Sequence, residues 1–180
     1  MPSIKLCISS SMTGSGKTVF TSALIKSLMN NGYSVSAGKI GPDYIDPTYT
    51  RYITNRAVFN YDTWAMTDEK IRYLIQQSTK KNDVHIIEGV MGLFDGTKNQ
   101  SSSTAEFVKK FKIPVLLILD ASGQSQTLAA TCKGIMDYDC EINFIGVILN
   151  NISSKRHYNL INEELEKSKV KVLGYLPKSD

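Results

Sequence analysis

Two kinds of apolar pattern alternate along this chain. Nearly continuous apolar runs cover residues 113–119 and 142–149, and shorter ones cover 4–9, 34–38, 84–88 and 170–175. Between them, apolar residues recur at three- and four-residue spacing over 17–30, 67–80, 104–111, 124–136 and 155–168. The runs predict strands and the spaced segments predict helices. In 17–30, Phe20, Leu24 and Leu28 share one face and Asn31-Gly32 supplies the stop. Runs that are apolar on both faces suit parallel strands covered by helices on each side. Strand and helix alternating throughout predict a three-layer α/β fold with a mainly parallel central sheet. Ligands in such folds gather at the carboxyl ends of the strands.

Composition narrows the class. A chain of 180 residues with 42% hydrophobic and 21% charged residues fits one globular domain, residues 1–180, with a full core. No apolar run approaches the roughly 20 residues of a membrane span, and the N-terminus lacks the basic start and long apolar stretch of a signal peptide. The net charge of +4 comes from scattered basic residues, which argues against a nucleic-acid partner. The three cysteines, Cys7, Cys132 and Cys140, have no metal-ligand spacing and read as reduced thiols of a cytoplasmic protein.

Three loops carry the candidate chemistry. "SMTGSGKT", residues 11–18, follows the first strand and opens the first helix, as a Walker A loop requires. Thr13, Gly14, Ser15 and Gly16 would turn backbone N–H groups toward phosphate, with Lys17 reaching the β- and γ-phosphates and Thr18 ligating Mg²⁺. Ser11 stands where the general pattern has its first glycine. The late strand ends in "LNNISS" without the Asn-Lys-x-Asp of guanine readers, so ATP is the expected nucleotide. Asn150 reads either as a partner for the adenine edge or as a strand-ending turn residue.

"IIEGVMGLFDG", residues 86–96, puts Glu88 at the carboxyl end of the third strand, where a Mg²⁺ ligand facing the phosphate loop belongs. Gly89, Gly92 and Gly96 keep this backbone close to phosphate or substrate. His85 reads as structural. "KIGPDYIDP", residues 39–47, follows the second strand and holds Lys39, with Asp43 and Asp46 between two prolines. Pro42 and Pro47 stiffen it, so it reads as a rigid loop that fixes charged groups in place.

Together, "GSGKT", "KIGPDYIDP", "NYDTWAM" and "EGVMGLFDG", in this order, resemble the amidoligase domain of cobyrinic acid a,c-diamide synthase. That family is related to dethiobiotin synthetase within the P-loop ATPases, and the later "PVLLILDASGQSQTLAA" and "GVILNNISSKRH" also fit. The resemblance implies ATP- and Mg²⁺-dependent amidation of the a and c acetates of a tetrapyrrole polycarboxylate. An acyl phosphate would form on each carboxylate and ammonia would displace it. Lys17 and Lys39 would offset the repulsion between carboxylate and triphosphate. Asp46 is the expected Mg²⁺ ligand beside Thr18 and Glu88. Asp43 and Tyr44 are expected at the substrate or intermediate, with the division of roles between Asp43 and Asp46 left open. Ile45, Asn60, Asp62 and Gly92 complete the expected substrate region.

The chain departs from the family in two places of that region. Thr50 stands where the family has a histidine, and Asn60-Tyr61-Asp62 stands for Asn-Leu-Asp. The family continues into a glutaminase domain, whereas this chain stops at "LGYLPKSD", so it reads as a fragment or a free-standing amidoligase using ammonia or a separate glutaminase. The macrocycle stays open among cobyrinate, hydrogenobyrinate and nickel sirohydrochlorin. A homodimer with the site near the interface is common for this fold. Dethiobiotin synthetase and a ParA/MinD-like switch ATPase are the rival readings. The first lacks "GPDYIDP" and "EGVMGLFDG", and the second carries an early loop lysine where this chain has Met12.

Overall fold

Seven strands form one sheet in a computed structural model that describes residues 3–97 and 102–179. The strands are β1 (Ile4–Ser10), β2 (Val35–Ile40), β3 (Phe59–Tyr61), β4 (Val84–Glu88), β5 (Val115–Asp120), β6 (Phe144–Ile152) and β7 (Val172–Pro177). The helices are α1 (Lys17–Asn30), α2 (Asp46–Thr54), α3 (Asp68–Thr79), α4 (Thr104–Phe111), α5 (Thr127–Tyr138) and α6 (Lys155–Lys167). The spatial order is β3-β2-β4-β1-β5-β6-β7, and every pairing is parallel.

Period-two alternation divides the core into two layers. Ile8, Ile86, Leu116, Ile118 and Ile148 point to the layer that α1 and α2 cover with Ile25 and Ile53. Cys7, Ile87, Leu117, Leu119 and Leu149 point to the other, where α3 to α6 contribute Ile71, Phe107, Leu128 and Leu165. The three-layer α/β expectation is met, with the sheet wholly parallel. All three cysteines are free thiols, two of them buried. Among the described residues, no helix is long and apolar enough to cross a membrane.

Four differences from the sequence reading have physical causes. The buried row of α1 is Lys17, Thr21 and Ile25, while Phe20, Leu24 and Leu28 are only half-buried beside it. Lys17 must point in over the end of the sheet, and the residues four apart from it follow it inward. Helix α2 is new: Pro47 sits in its first turn, where a proline's missing N–H costs nothing, so "YIDP" opens a helix as well as ending a loop. Its buried residues are Thr50 and Thr54, so it carries little apolar signal. Strand β3 has only three residues at the sheet edge and is equally faint. Strand β6 continues through Asn150 and Asn151, because Asn150 still pairs with Asp120 of β5.

The topology selects one place for a ligand. From β1 the chain crosses to β2 on one side, and from β4 it passes back over β1 to β5 on the other. The crevice at such a switch opens at the carboxyl ends of β1 and its neighbours. The loops after β1, β2 and β4 are the three that carry the candidate chemistry.

Candidate functional site

Strand register brings the chemistry together before any side chain is considered. Glu88 pairs with Ile8 of β1 on one side and with Lys39 of β2 on the other. The first loop leaves β1 and turns through Gly14 (φ 83°) and Gly16 (φ 91°), a left-handed backbone that favours glycine. A Cβ on Gly16 would also strike the Asn150 side-chain amide. Gly16 forms the start of α1 without a side-chain cap, and no acidic residue lies in the first turn. The first N–H groups of α1 are thereby left for an anion.

Lys17 folds back over this loop. Its Nζ donates to Met91 O at 2.6 Å and to Ser10 Oγ at 2.8 Å. Burial lowers its pKa below that of an ordinary lysine, and the nearby Lys39 charge adds to the effect. Lys39 lies in an acidic cage: Nζ is 2.7 Å from Asp46 Oδ2, 3.2 Å from Glu88 Oε1 and 3.5 Å from Asp43 Oδ2, and it donates to Gly89 O at 3.1 Å. Burial pulls the Lys39 pKa down, but Glu88 and Asp46 outweigh burial and hold it above the ordinary value.

Glu88 is the most enclosed acid of the group. Burial raises its pKa, and Lys39 and the Thr18 hydroxyl oppose the rise. Thr18 Oγ1 donates to Glu88 Oε1 at 2.6 Å, while Oε2 is buried with no hydrogen-bond partner among the described residues. An orphaned carboxylate oxygen beside a threonine hydroxyl and a second carboxylate is a hard oxygen donor set, which suits Mg²⁺. Among the described residues, no three His, Cys, Asp or Glu side chains converge on a common metal position. That fits an ion held by one or two carboxylates together with phosphate oxygens, rather than by a protein cage.

The expected site residues fall into three groups. Thr13, Gly14, Gly16, Lys17 and Thr18 line one cavity of about 380 Å³. Lys39, Asp43, Asp46 and Glu88 close the same cavity. A second cavity of about 330 Å³ adjoins it through Asp43, and Tyr44 and Asn60 belong to this one. The remainder face elsewhere. Asn150 Nδ2 donates to Ser15 O at 3.0 Å, so its amide braces the loop from behind. Asp62 Oδ1 accepts the N–H groups of Trp64 and Ala65 and closes a turn. Ile45 is largely exposed. Gly92 is tightly packed: a Cβ there would lie 2.7 Å from Ser11 O and 2.6 Å from Asp95 Oδ2.

Some of the contacts that build the site carry no signal in the sequence. Asp43 Oδ1 accepts from Ile45 N and Asp46 N, so it caps the entry to α2 while its other oxygen faces Lys39. Leu93 N donates to Ser10 O, which clips the loop after β4 onto the end of β1 where the phosphate loop begins, and Gly92 N donates to Asp95 Oδ2 within that same loop. His85 is structural, as the sequence suggested: it is fully buried between Ser36 and Tyr61. A wider cavity, about 750 Å³, lies at the far end of the sheet near Asn143, Phe144 and Val170, away from these groups.

Residues 6–180 match the family model described as "CobQ/CobB/MinD/ParA nucleotide binding domain". The chain belongs to this family. It is 40% identical over 172 residues to hydrogenobyrinate a,c-diamide synthase of Agrobacterium fabrum, covering 94% of this chain and 39% of that protein. It is 42% identical over 179 residues to cobyrinate a,c-diamide synthase of Clostridium acetobutylicum, covering 97% of this chain and 40% of that protein. The chain thus spans well under half the length of these relatives. Among solved structures, the signal recognition particle receptor FtsY of Elizabethkingia anophelis superposes with a TM-score of 0.67 at 15% identity, covering 91% of this chain and 55% of that one. Hydrogenase maturation factor HypB of Archaeoglobus fulgidus gives 0.58 at 13% identity, covering 96% and 80%. These structural likenesses establish the fold, and the family model describes it as a nucleotide-binding domain.

Proposed function

We propose that this chain is the ATP-binding amidoligase unit of a cobyrinate-type a,c-diamide synthase. The observation that carries the reading is Lys39, a buried cation held between Asp46 and Glu88 in the cavity that also contains the phosphate-loop lysine. A nucleotide switch needs the loop lysine; a second buried cation beside it suits a reaction between two anions. The names of the similar proteins supply the substrate class, a tetrapyrrole carrying several carboxylates. An ATP-consuming enzyme with free thiols belongs in the cytoplasm in this reading.

When bound, MgATP would supply the γ-phosphoryl group that turns a substrate carboxylate into an acyl phosphate open to ammonia. The chain's own residues do the rest. The loop N–H groups and Lys17 hold the β- and γ-phosphates. Thr18 and Glu88, with Asp46, would hold Mg²⁺. Lys39 lies where it lowers the repulsion between the incoming carboxylate and the phosphate, a stabilisation that grows as the bond forms. Asp43 orders the start of α2, so its charge and that of Asp46 keep Lys39 in place.

The test is incubation of the chain with cobyrinate, ATP, Mg²⁺ and ammonium. Two carboxyls should become carboxamides, each with release of one ADP and one phosphate. AMP as the main nucleotide product, or no amide formation, overturns the reading. Lys17→Ala should lower turnover by roughly 10²–10³-fold with circular dichroism unchanged.

A further inference from the structure

The cavity beside the proposed reaction site contains a cation to which the chemistry above assigns no task. Arg51 lies on α2, one turn beyond Pro47, and its side chain lines the cavity of about 330 Å³ between α2, β3 and α3. Tyr44, Pro47, Thr48 and Arg51 present one face of the α2 segment at three- and four-residue spacing. Phe59 and Leu74 give the opposite wall an apolar character. Arg51 forms no ion pair among the described residues. Asn60, on the same wall, keeps a buried Oδ1 with no hydrogen-bond partner among the described residues, while its Nδ2 donates to Asp43 O.

Asp43 lines this cavity and the phosphate-side cavity alike, and its Oδ2 is 3.5 Å from Lys39 Nζ. The two spaces are therefore neighbours, separated by one carboxylate. A polycarboxylate whose reacting acetate reaches Lys39 must place its other carboxylates nearby, and each needs a partner when it leaves water. A guanidinium offers a planar fork of donors that matches a carboxylate with two parallel hydrogen bonds. The apolar wall suits the hydrocarbon edge of a macrocycle.

We propose that Arg51 binds a second, non-reacting carboxylate of the substrate in this cavity and so selects which acetate reaches Lys39. The inference rests on the tetrapyrrole reading and deepens it. Arg51 is a specificity residue here: it touches substrate away from the reacting atoms.

The experiment is an absorbance titration of cobyrinate into the wild-type chain, Arg51→Ala and Arg51→Lys, with MgATP affinity measured in parallel. Arg51→Ala should bind cobyrinate about 10–100-fold more weakly, because a bidentate charged contact is lost. Arg51→Lys should fall between, since an ammonium keeps the charge but not the fork. MgATP affinity should not change, and the ratio of a- to c-monoamide formed by Arg51→Ala should shift. Equal cobyrinate binding by wild type and Arg51→Ala overturns the Arg51 assignment and leaves the amidoligase reading standing. A parallel loss of MgATP affinity in Arg51→Ala also overturns it, since the residue would then be supporting the whole site. A wild-type chain that binds MgATP but not cobyrinate overturns both.

Discussion

Thr18 Oγ1 donates a 2.6 Å hydrogen bond to Glu88 Oε1, tying the first turn of α1 to the carboxyl end of β4. The bond uses one carboxylate oxygen and leaves Oε2 buried and unpartnered among the described residues. Lys39 meets Oε1, but a buried carboxylate oxygen left bare is costly until a donor or a second cation meets it. Glu88→Gln keeps the shape and the Thr18 contact but removes the charge. Wild type should bind nucleotide more tightly with Mg²⁺ than with EDTA, and Glu88→Gln should lose most of that difference. Nucleotide titrations under the two conditions measure it. An unchanged difference would remove Glu88 from the set of metal ligands.

Lys39 is expected to matter for the fold as well as for turnover. Lys39→Ala leaves Glu88 enclosed without its cation, and breaking a buried pair in this way costs about 3–5 kcal/mol. Without Lys39, burial drives the Glu88 pKa further above its ordinary value. A raised carboxylate pKa penalises the folded state as pH rises above the ordinary value, because the unfolded chain ionises first, and the penalty is complete once pH passes the raised one. The stability deficit of Lys39→Ala should therefore be largest near neutral pH and shrink as acid protonates Glu88. Urea unfolding at several pH values reads this directly. In turnover, kcat should fall more than ATP affinity; proportional losses in both would make Lys39 a nucleotide clamp only.

Most of the architecture was legible because central strands must be apolar on both faces, and 113–119 and 142–149 could be little else. The phosphate loop was legible for a different reason: its glycines are required by backbone geometry, at Gly14 and Gly16 by a positive φ. What stayed hidden lacked an apolar signature. Helix α2 buries threonines and begins inside a proline-rich loop, so it read as stiffened coil. Gly92 was expected near substrate, but the space it preserves is for Ser11 O and Asp95. Spacing alone could not show this, since a glycine that admits a ligand and one that admits another loop look the same in sequence. Asn150 is similar. Its position at a strand end is clear from the chain, but its bond to Ser15 O depends on a contact across 135 positions.

His85 gives the fold a pH dependence of its own. Ser36 Oγ donates to Ser78 O, so His85 Nδ1–H must donate to Ser36 Oγ, and Nε2 then accepts from the Tyr61 hydroxyl. Both ring nitrogens are thus satisfied in the neutral form. Burial, with a contribution from the Lys5 charge, lowers the His85 pKa from 6.5 to about 4. The folded state thus resists a proton that the unfolded chain accepts below 6.5. Stability should be fully present above that value and decline as pH falls toward 4. Between about pH 7.5 and about pH 5.5 the loss should be about 1.3 kcal/mol from this group alone. His85→Gln should be less stable overall but should lack this portion of the slope. Chemical denaturation of both proteins across the window is the measurement, and equal slopes would show that His85 is protonated in the folded state.

The nitrogen source can be argued from the thiols. Glutamine hydrolysis of the cysteine type needs a thiolate beside a histidine that can take its proton. Burial pushes the Cys7 thiol far above its ordinary pKa, with Glu88 adding to the rise. Burial likewise raises Cys132 to about 12, and its nearest sulfur contact is Met136. Cys140 is exposed at the far end of the sheet, lining the cavity of about 750 Å³ and away from the phosphate loop. The two histidines are engaged elsewhere: His85 with Ser36 and Tyr61, and His157 with Ser153 and Gln124 O. Among the described residues, no Cys–His pair is therefore available to activate a nucleophile. The chain should amidate with ammonium and release no glutamate from glutamine, even with ATP and cobyrinate present. Replacing all three cysteines by serine should leave the ammonium-dependent rate in place, provided the triple variant still shows a cooperative unfolding transition. Sustained glutamate release by wild type that disappears in any single Cys→Ser variant would contradict this and assign glutaminase chemistry to the domain itself.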